Sequence, residues 1–166
     1  MYLAFTGSHG TGKTTSVFQK AKEMKILAKD KTVGIISENA MFSPLPINRD
    51  TTPNSQMWIF TNQIQSEIAF LAKYDVVISD RTAVDAIAYT FVAGFIELGK
   101  AMLELVKNHI KNYNEIYFKT LKHNNYLIEN GVRDGKDKRF QEEVEVVLLD
   151  LYEKLRIKEI SKFYII

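Results

Sequence analysis

The stretch Gly7-Ser8-His9-Gly10-Thr11-Gly12-Lys13-Thr14 decides how this chain is read. It fills every position of the eight-residue phosphate-loop pattern. The glycines let the backbone take positive φ and come close to a polyanion. Successive N–H groups form a nest for anions, and the helix that follows adds the partial positive charge of its N-terminus. Lys13 is placed to bridge the β- and γ-phosphates of ATP or another nucleoside triphosphate. The Thr14 hydroxyl is placed to ligate Mg²⁺, and Thr15 extends the cradle into the first helical turn. His9, inside the loop, reads as a variable residue of the cradle rather than a catalytic one.

The flanks give the loop its context. Tyr2-Leu3-Ala4-Phe5 is a short apolar run that reads as a buried strand, and Val17, Ala21, Met24 and Leu27 recur at helical spacing over 13–28. Four more strands follow at Thr32–Ile36, Asp75–Ser79, Glu115–Phe118 and Lys162–Ile166. Helices are predicted over 55–73, 82–96, 98–112 and 139–156. The stripe Phe60, Ile64, Ile68 and Leu71 marks the apolar face of the first of these, with Asn54 or Ser55 as its cap. Pro44, Pro46 and Pro53 make 39–53 mostly irregular. Five strands alternating with helices imply right-handed crossovers and a parallel α/β sheet covered on both faces. Ligands of such sheets bind beyond the carboxyl ends of the strands, so the loops after Phe5, Ser37 and Ser79 converge on one crevice.

At 166 residues and 46% apolar content, the chain makes a single domain, 1–166, with one core. Lys and Arg number 22 against 20 Asp and Glu, a balance that argues against a nucleic-acid track or a membrane surface. Cysteine is absent, which excludes a disulfide framework and a thiolate zinc site. No apolar run is long enough to span a bilayer, and the first six residues are too short for a signal peptide, so the expected location is the cytoplasm. Self-association into a homodimer is left open.

Around the loop stand candidate site residues. Asp80 follows the third strand, where a carboxylate completes a Mg²⁺ shell; it could equally cap the next helix. Arg81 offers a planar donor fork to a phosphate or an acceptor, or is an exposed cation at a helix start. Glu38, at the end of the second strand, is placed to take a proton from an acceptor hydroxyl, to grip a ribose, or merely to end the strand. Arg133 and Arg139 lie in a polar segment, 120–139, that could close over a triphosphate. Gln56, Phe60 and Gln63 share a helix face that could hold a nucleobase, or form an ordinary mixed face.

These residues resemble the P-loop nucleoside and nucleotide kinases, nearest to thymidylate kinases and the ribosylnicotinamide-kinase-like ATPase domains. The likeness rests on the phosphate loop and Glu38, on Asp80-Arg81-Thr82 with Ala88-Tyr89 downstream, and on Asn130-Gly131-Val132-Arg133 through Arg139. Thymidylate kinases carry Arg-Glu-Pro where this chain has Ser37-Glu38-Asn39. The resemblance implies a three-layer P-loop NTPase sandwich with strand order 2-3-1-4-5. It makes 120–139 a short lid with Arg133 and Arg139 as lid arginines, and Arg81 an acceptor-side arginine. It makes 39–63 the acceptor-binding region. The activity it implies is ATP- and Mg²⁺-dependent phosphoryl transfer to a nucleoside, a nucleotide or a related small molecule. A regulatory P-loop ATPase that transfers phosphate only to water is the second reading, though no Asn-Lys-x-Asp or Leu-Ser-Gly-Gly-Gln segment is present and the chain is short for a ring-forming ATPase. A polynucleotide 5′-hydroxyl kinase is the third.

Overall fold

A computed structural model describes residues 1–121, 138–155 and 162–166. Five parallel strands form one sheet in the order β2-β3-β1-β4-β5: β1 (Tyr2–Thr6), β2 (Val33–Ile36), β3 (Val76–Asp80), β4 (Glu115–Phe118) and β5 (Lys162–Ile165). The order 2-3-1-4-5 is the one the resemblance implies. Pairing is in step at the carboxyl ends, with Phe5 opposite Asp80, Ile36 opposite Ser79 and Thr6 opposite Phe118. Gly7, Glu38, Arg81 and Lys119 therefore leave the sheet at one edge.

Side chains of β1 alternate between two cores, as strand geometry requires. Leu3 and Phe5 face Val17 and Ala21 of α1 (Lys13–Leu27), together with Val76 and Ile78. Tyr2 and Ala4 face the larger core, built with α3 (Ala83–Val92), α4 (Ile96–His109) and α5 (Lys138–Lys154). Each fully buried apolar side chain there contributes roughly 1.5–3 kcal/mol. Among the described residues no helix is long and apolar enough to cross a membrane.

Four expectations change in detail. The helix over 55–73 begins earlier, as α2 (Pro53–Lys73): Thr52 is its cap, accepting from the Ser55 N–H while Ser55 Oγ receives the Thr52 N–H, with Pro53 at the first helical position. Ser55 is thus the reciprocal partner and Asn54 is no cap. The buried face of α2 also holds more than the apolar stripe: Phe60 is in the core, Ile64 and Leu71 pack against it, and polar residues join them. Gln56, Phe60, Gln63 and Glu67 point inward, while Ile68 is 56% exposed. The helix over 82–96 stops at Val92, because Gly94 takes φ 84 and the Phe95 and Gly94 amides donate to the Thr90 and Phe91 carbonyls, a Schellman end. Asp80 does not cap α3; Thr82 does, in a box with Asp85. The segment 39–53 is irregular as expected, apart from 3₁₀ turns at Asn39–Phe42 and Asn48–Asp50 and the helical Pro53. Most of the expected lid, Asn130 to Arg133 included, lies outside the described residues.

Burial sets the alkaline behaviour of the fold. Tyr2, Tyr113 and Tyr152 are completely enclosed. Loss of hydration pushes all three phenols well above the ordinary value of 10.0, helped by the Glu67 charge at Tyr2 and Tyr113 and the Asp85 charge at Tyr152. A raised folded-state pKa adds stability that is complete below pH 10. It is lost as pH rises, because the unfolded chain gives up protons the folded chain keeps. Stability should fall steeply above pH 10, with phenolate absorbance of these tyrosines appearing only as circular dichroism is lost. Ionisation of all the tyrosines with the native spectrum intact would contradict it.

Candidate functional site: a glycine-rich loop beside a pocket

Gly7, Gly10 and Gly12 take φ of 130, 76 and 77, the left-handed region the loop needs. A Cβ on Gly7 would stand 2.3 Å from the Lys119 carbonyl oxygen, so no other residue fits there. Gly12 precedes α1, and the Lys13 ammonium reaches back over the loop to the Ser8 carbonyl at 2.5 Å and Thr11 Oγ1 at 3.2 Å. Thr14 and Thr15 open α1 and are exposed. The Thr14 hydroxyl donates to Asp80 Oδ2 at 2.5 Å. Asp80 Oδ1 and Ser8 Oγ are buried and have no hydrogen-bond partner among the described residues. Buried polar atoms ordinarily have partners. A hydroxyl beside a carboxylate with an unused oxygen fits Mg²⁺, which takes one or two protein oxygens and completes its shell with water and phosphate. The unused Ser8 hydroxyl fits a phosphate oxygen.

Arg81 is the centre of the neighbouring wall. It is buried, not an exposed helix-start cation. Its Nε donates to Glu38 Oε1 at 2.7 Å, and its Nη1 to Asp85 Oδ1 and the Gly7 carbonyl, both at 3.1 Å. Its guanidinium also lies over the Tyr89 ring, 5.2 Å from the centroid. Burial works to lower the Arg81 pKa, but Tyr89, Asp85 and Asp80 outweigh it and the net shift is upward, so the cation is permanent. Burial raises the Tyr89 phenol, against the opposing pull of Arg81. Asp85 takes further hydrogen bonds from Thr6 Oγ1, the Thr82 N–H and Thr82 Oγ1, at 2.8, 2.9 and 2.8 Å.

Beside this wall opens a pocket of about 530 Å³, its open mouth included. His9, Glu38, Arg81, Asp85 and Tyr89 form its polar side; Met41, Ile47, Ile59 and Ala86 form its apolar side, with Gln56 and Asn48 between. His9 thus belongs to both the loop and the pocket. Its Nδ1 is 3.1 Å from the Tyr89 hydroxyl, its ring packs on Phe140, and its carbonyl accepts from Gln141 Nε2 at 3.1 Å.

The candidate residues separate on this geometry. The loop, Thr14, Asp80, Arg81, Glu38 and Gln56 gather at one crevice. Phe60 and Gln63 are buried and do not line the pocket. Arg139 is 88% exposed and bound to Glu143 on its own helix at 2.9 Å. Arg133 lies outside the described residues. Sequence reasoning missed Asp85, although Thr82-x-x-Asp85 is a capping-box spacing that places it in the first turn beside Arg81. It also missed Lys119, whose ammonium reaches Ser16 Oγ at 2.7 Å. Arg81→Met strips the cation from two buried carboxylates and should cost about 3–5 kcal/mol in denaturant unfolding. A loss under about 1 kcal/mol, the scale of an exposed pair, would show that Arg81 is not the keystone of this wall.

Comparisons place this architecture among known folds. A structure of deoxyadenosine kinase from M. mycoides with the products dCMP and a flexible dCDP bound is similar, with TM-score 0.72, 14% identity, and coverage of 100% of this chain and 90% of that one. The same enzyme with dATP bound gives TM-score 0.70 at 14% identity, with 100% and 90% covered. Thymidylate kinase from Ehrlichia chaffeensis gives 0.68 at 17% identity, with 100% and 91% covered. The likeness is one of fold, and it is that of a P-loop nucleoside or nucleotide kinase. No curated protein sequence matches. The sequence matches one family profile, described as AAA domain, over residues 2–161, and the chain belongs to that AAA domain family.

Proposed function

We propose that this chain transfers the terminal phosphoryl group of ATP, with Mg²⁺, to a hydroxyl of a nucleoside or a similar small molecule. One observation carries the reading. The Glu38 carboxylate, oriented by Arg81, lines a half-apolar pocket that shares His9 with the phosphate loop. Donor and acceptor halves thus adjoin, with a carboxylate on the acceptor side. The similar kinases, which act on nucleosides and nucleotides, support the same class.

Charge favours a hydroxyl over a phosphate acceptor. The described lining holds one guanidinium and two carboxylates, and both carboxylates are already paired to Arg81. A monophosphate would meet a wall without surplus positive charge. A neutral sugar and base suit the chemistry of this lining, with Gln56 and Asn48 as its amides and Ile47, Ile59 and Met41 as its apolar side.

The chemistry assigned to the chain is mostly positioning. The loop amides and Lys13 hold and neutralise the phosphates. Thr14 and Asp80 would hold Mg²⁺, which when bound withdraws charge from the phosphate oxygens. Glu38 accepts the proton of the acceptor hydroxyl as its oxygen bonds to the γ-phosphorus. The bond from that phosphorus to the β-phosphate oxygen breaks, and ADP leaves. The proton on Glu38 then passes to solvent. If 120–139 forms a lid, Arg133 and Arg139 would add charge from above.

The AAA domain assignment favours one second reading, a regulatory ATPase in which water replaces the acceptor. A coupled ADP assay over a panel of nucleosides and monophosphates separates the two. Nucleoside-dependent ADP release is expected, abolished in Lys13→Ala and lowered about 100-fold or more in Glu38→Gln, with ATP binding retained in the latter. ADP release at one rate with every acceptor and with none would favour the ATPase.

A further inference from the structure

We propose that Gln63 is a positioning residue: its one amide ties the Arg81 backbone to the segment after Glu38 and so sets the ion pair on the pocket wall. The inference rests on the phosphotransferase reading, in which that pair faces the acceptor.

Gln63 is buried. Its Oε1 accepts from Asn39 Nδ2 at 2.7 Å, and Asn39 directly follows Glu38. Its Nε2 faces Glu67 Oε1 at 2.8 Å, Ser79 Oγ at 3.1 Å and the Arg81 carbonyl at 3.2 Å. Two amide protons thus serve three acceptors, and turning the amide over would set its oxygen against the Glu67 carboxylate and the Arg81 carbonyl.

Arg81 needs such a tie. Its φ is 92, a region that residues with a Cβ rarely adopt. The backbone is pinned from both sides: its N–H donates to the Phe5 carbonyl at 2.9 Å, and its carbonyl accepts from Ser79 Oγ at 2.6 Å as well as from Gln63. This turn aims the side chain back across the sheet edge at Glu38 and Gly7.

Glu67 fixes which way the amide points. It is completely buried, and its carboxylate accepts from the Tyr113 hydroxyl at 2.9 and 2.7 Å and is paired with His109. An acceptor-only group at this place requires the NH₂ of Gln63 toward it, which leaves the amide oxygen for Asn39. The chain of contacts runs from His109 of α4 through Glu67 and Gln63 of α2, none of which lines the pocket, to the Arg81 backbone and the Asn39 side chain beside the ion pair.

The test uses Gln63→Met, which keeps length and removes the amide, and Asn39→Ala, which cuts only the loop side and spares the core. Solvent exchange of the Arg81 Nε–H is followed by NMR and assigned with Arg81→Lys. Exchange should quicken about 10-fold in both variants as the pair opens more often. The kcat for nucleoside phosphorylation should fall about 10- to 100-fold while the KM for ATP stays within about twofold. Parental exchange in both variants overturns the inference, whatever happens to the melting temperature. Quickened exchange with unchanged kcat overturns its catalytic part. If no acceptor is ever phosphorylated, the transfer reading fails, and the exchange measurement still decides whether Gln63 sets the pair.

Discussion

A single buried guanidinium holds this site together. Arg81 gives hydrogen bonds to the Gly7 carbonyl on the loop after β1, to Glu38 after β2 and to Asp85 in α3. Three separate stretches of chain thereby share one cation. Taking a charge out of water costs several kcal/mol, and the cost is recovered only when its partners are close and well aimed. Here two carboxylates, a carbonyl and the face of Tyr89 surround it. The unusual Arg81 backbone adds a further cost of about 1–3 kcal/mol, of the kind that collects at functional sites and persists only where neighbours over-determine it. The register of β1 on β3 makes the arrangement available, because Phe5 and Asp80 end level and the next residues must cross.

What the sequence carried well was the periodic and the local. Short apolar runs marked all five strands to within a residue or two, because a parallel sheet buried on both faces permits little else. The loop from Gly7 to Thr14 identified itself, since only glycine can stand where the Lys119 carbonyl approaches. The crevice at the strand ends followed from topology. Glu38 and Asp80-Arg81 could be placed in it without any knowledge of side-chain direction.

What escaped was the partnership of polar residues far apart in the chain. Gln56, Phe60, Gln63 and Glu67 recur at helical spacing, and spacing says that they share a face but not what the face meets. The sheet edge divides that face. Gln56 reaches the pocket, while Gln63 and Glu67 turn beneath it toward Asn39, Ser79 and Tyr113. A stripe of Phe60, Ile64, Ile68 and Leu71 was the natural apolar reading. It holds for Phe60, Ile64 and Leu71 but not for Ile68, and it omits the buried polar residues, because the interior at this place includes a hydrogen-bonded network that takes amides and a carboxylate. Asp85 escaped for a related reason: a capping residue reveals its helix end in sequence, but not the arginine one turn back that it also binds.

The same polar interior constrains what the pocket can accept. A cation that is already shared between two carboxylates has little left for an incoming anion, so in the proposed transfer Arg81 would act on an acceptor chiefly through Glu38. The loop has the opposite character, with amides, Lys13 and a helix start turned toward one place. Between them stands His9, which packs on Phe140 and lies beside the Tyr89 hydroxyl. Its carbonyl is held by Gln141, so the start of α5 is fastened to the phosphate loop. A displacement of α5 therefore moves the border between the two halves. In the proposed phosphoryl transfer the rate depends on the distance across that border, and the ring cluster ties it to the helix that begins at Lys138.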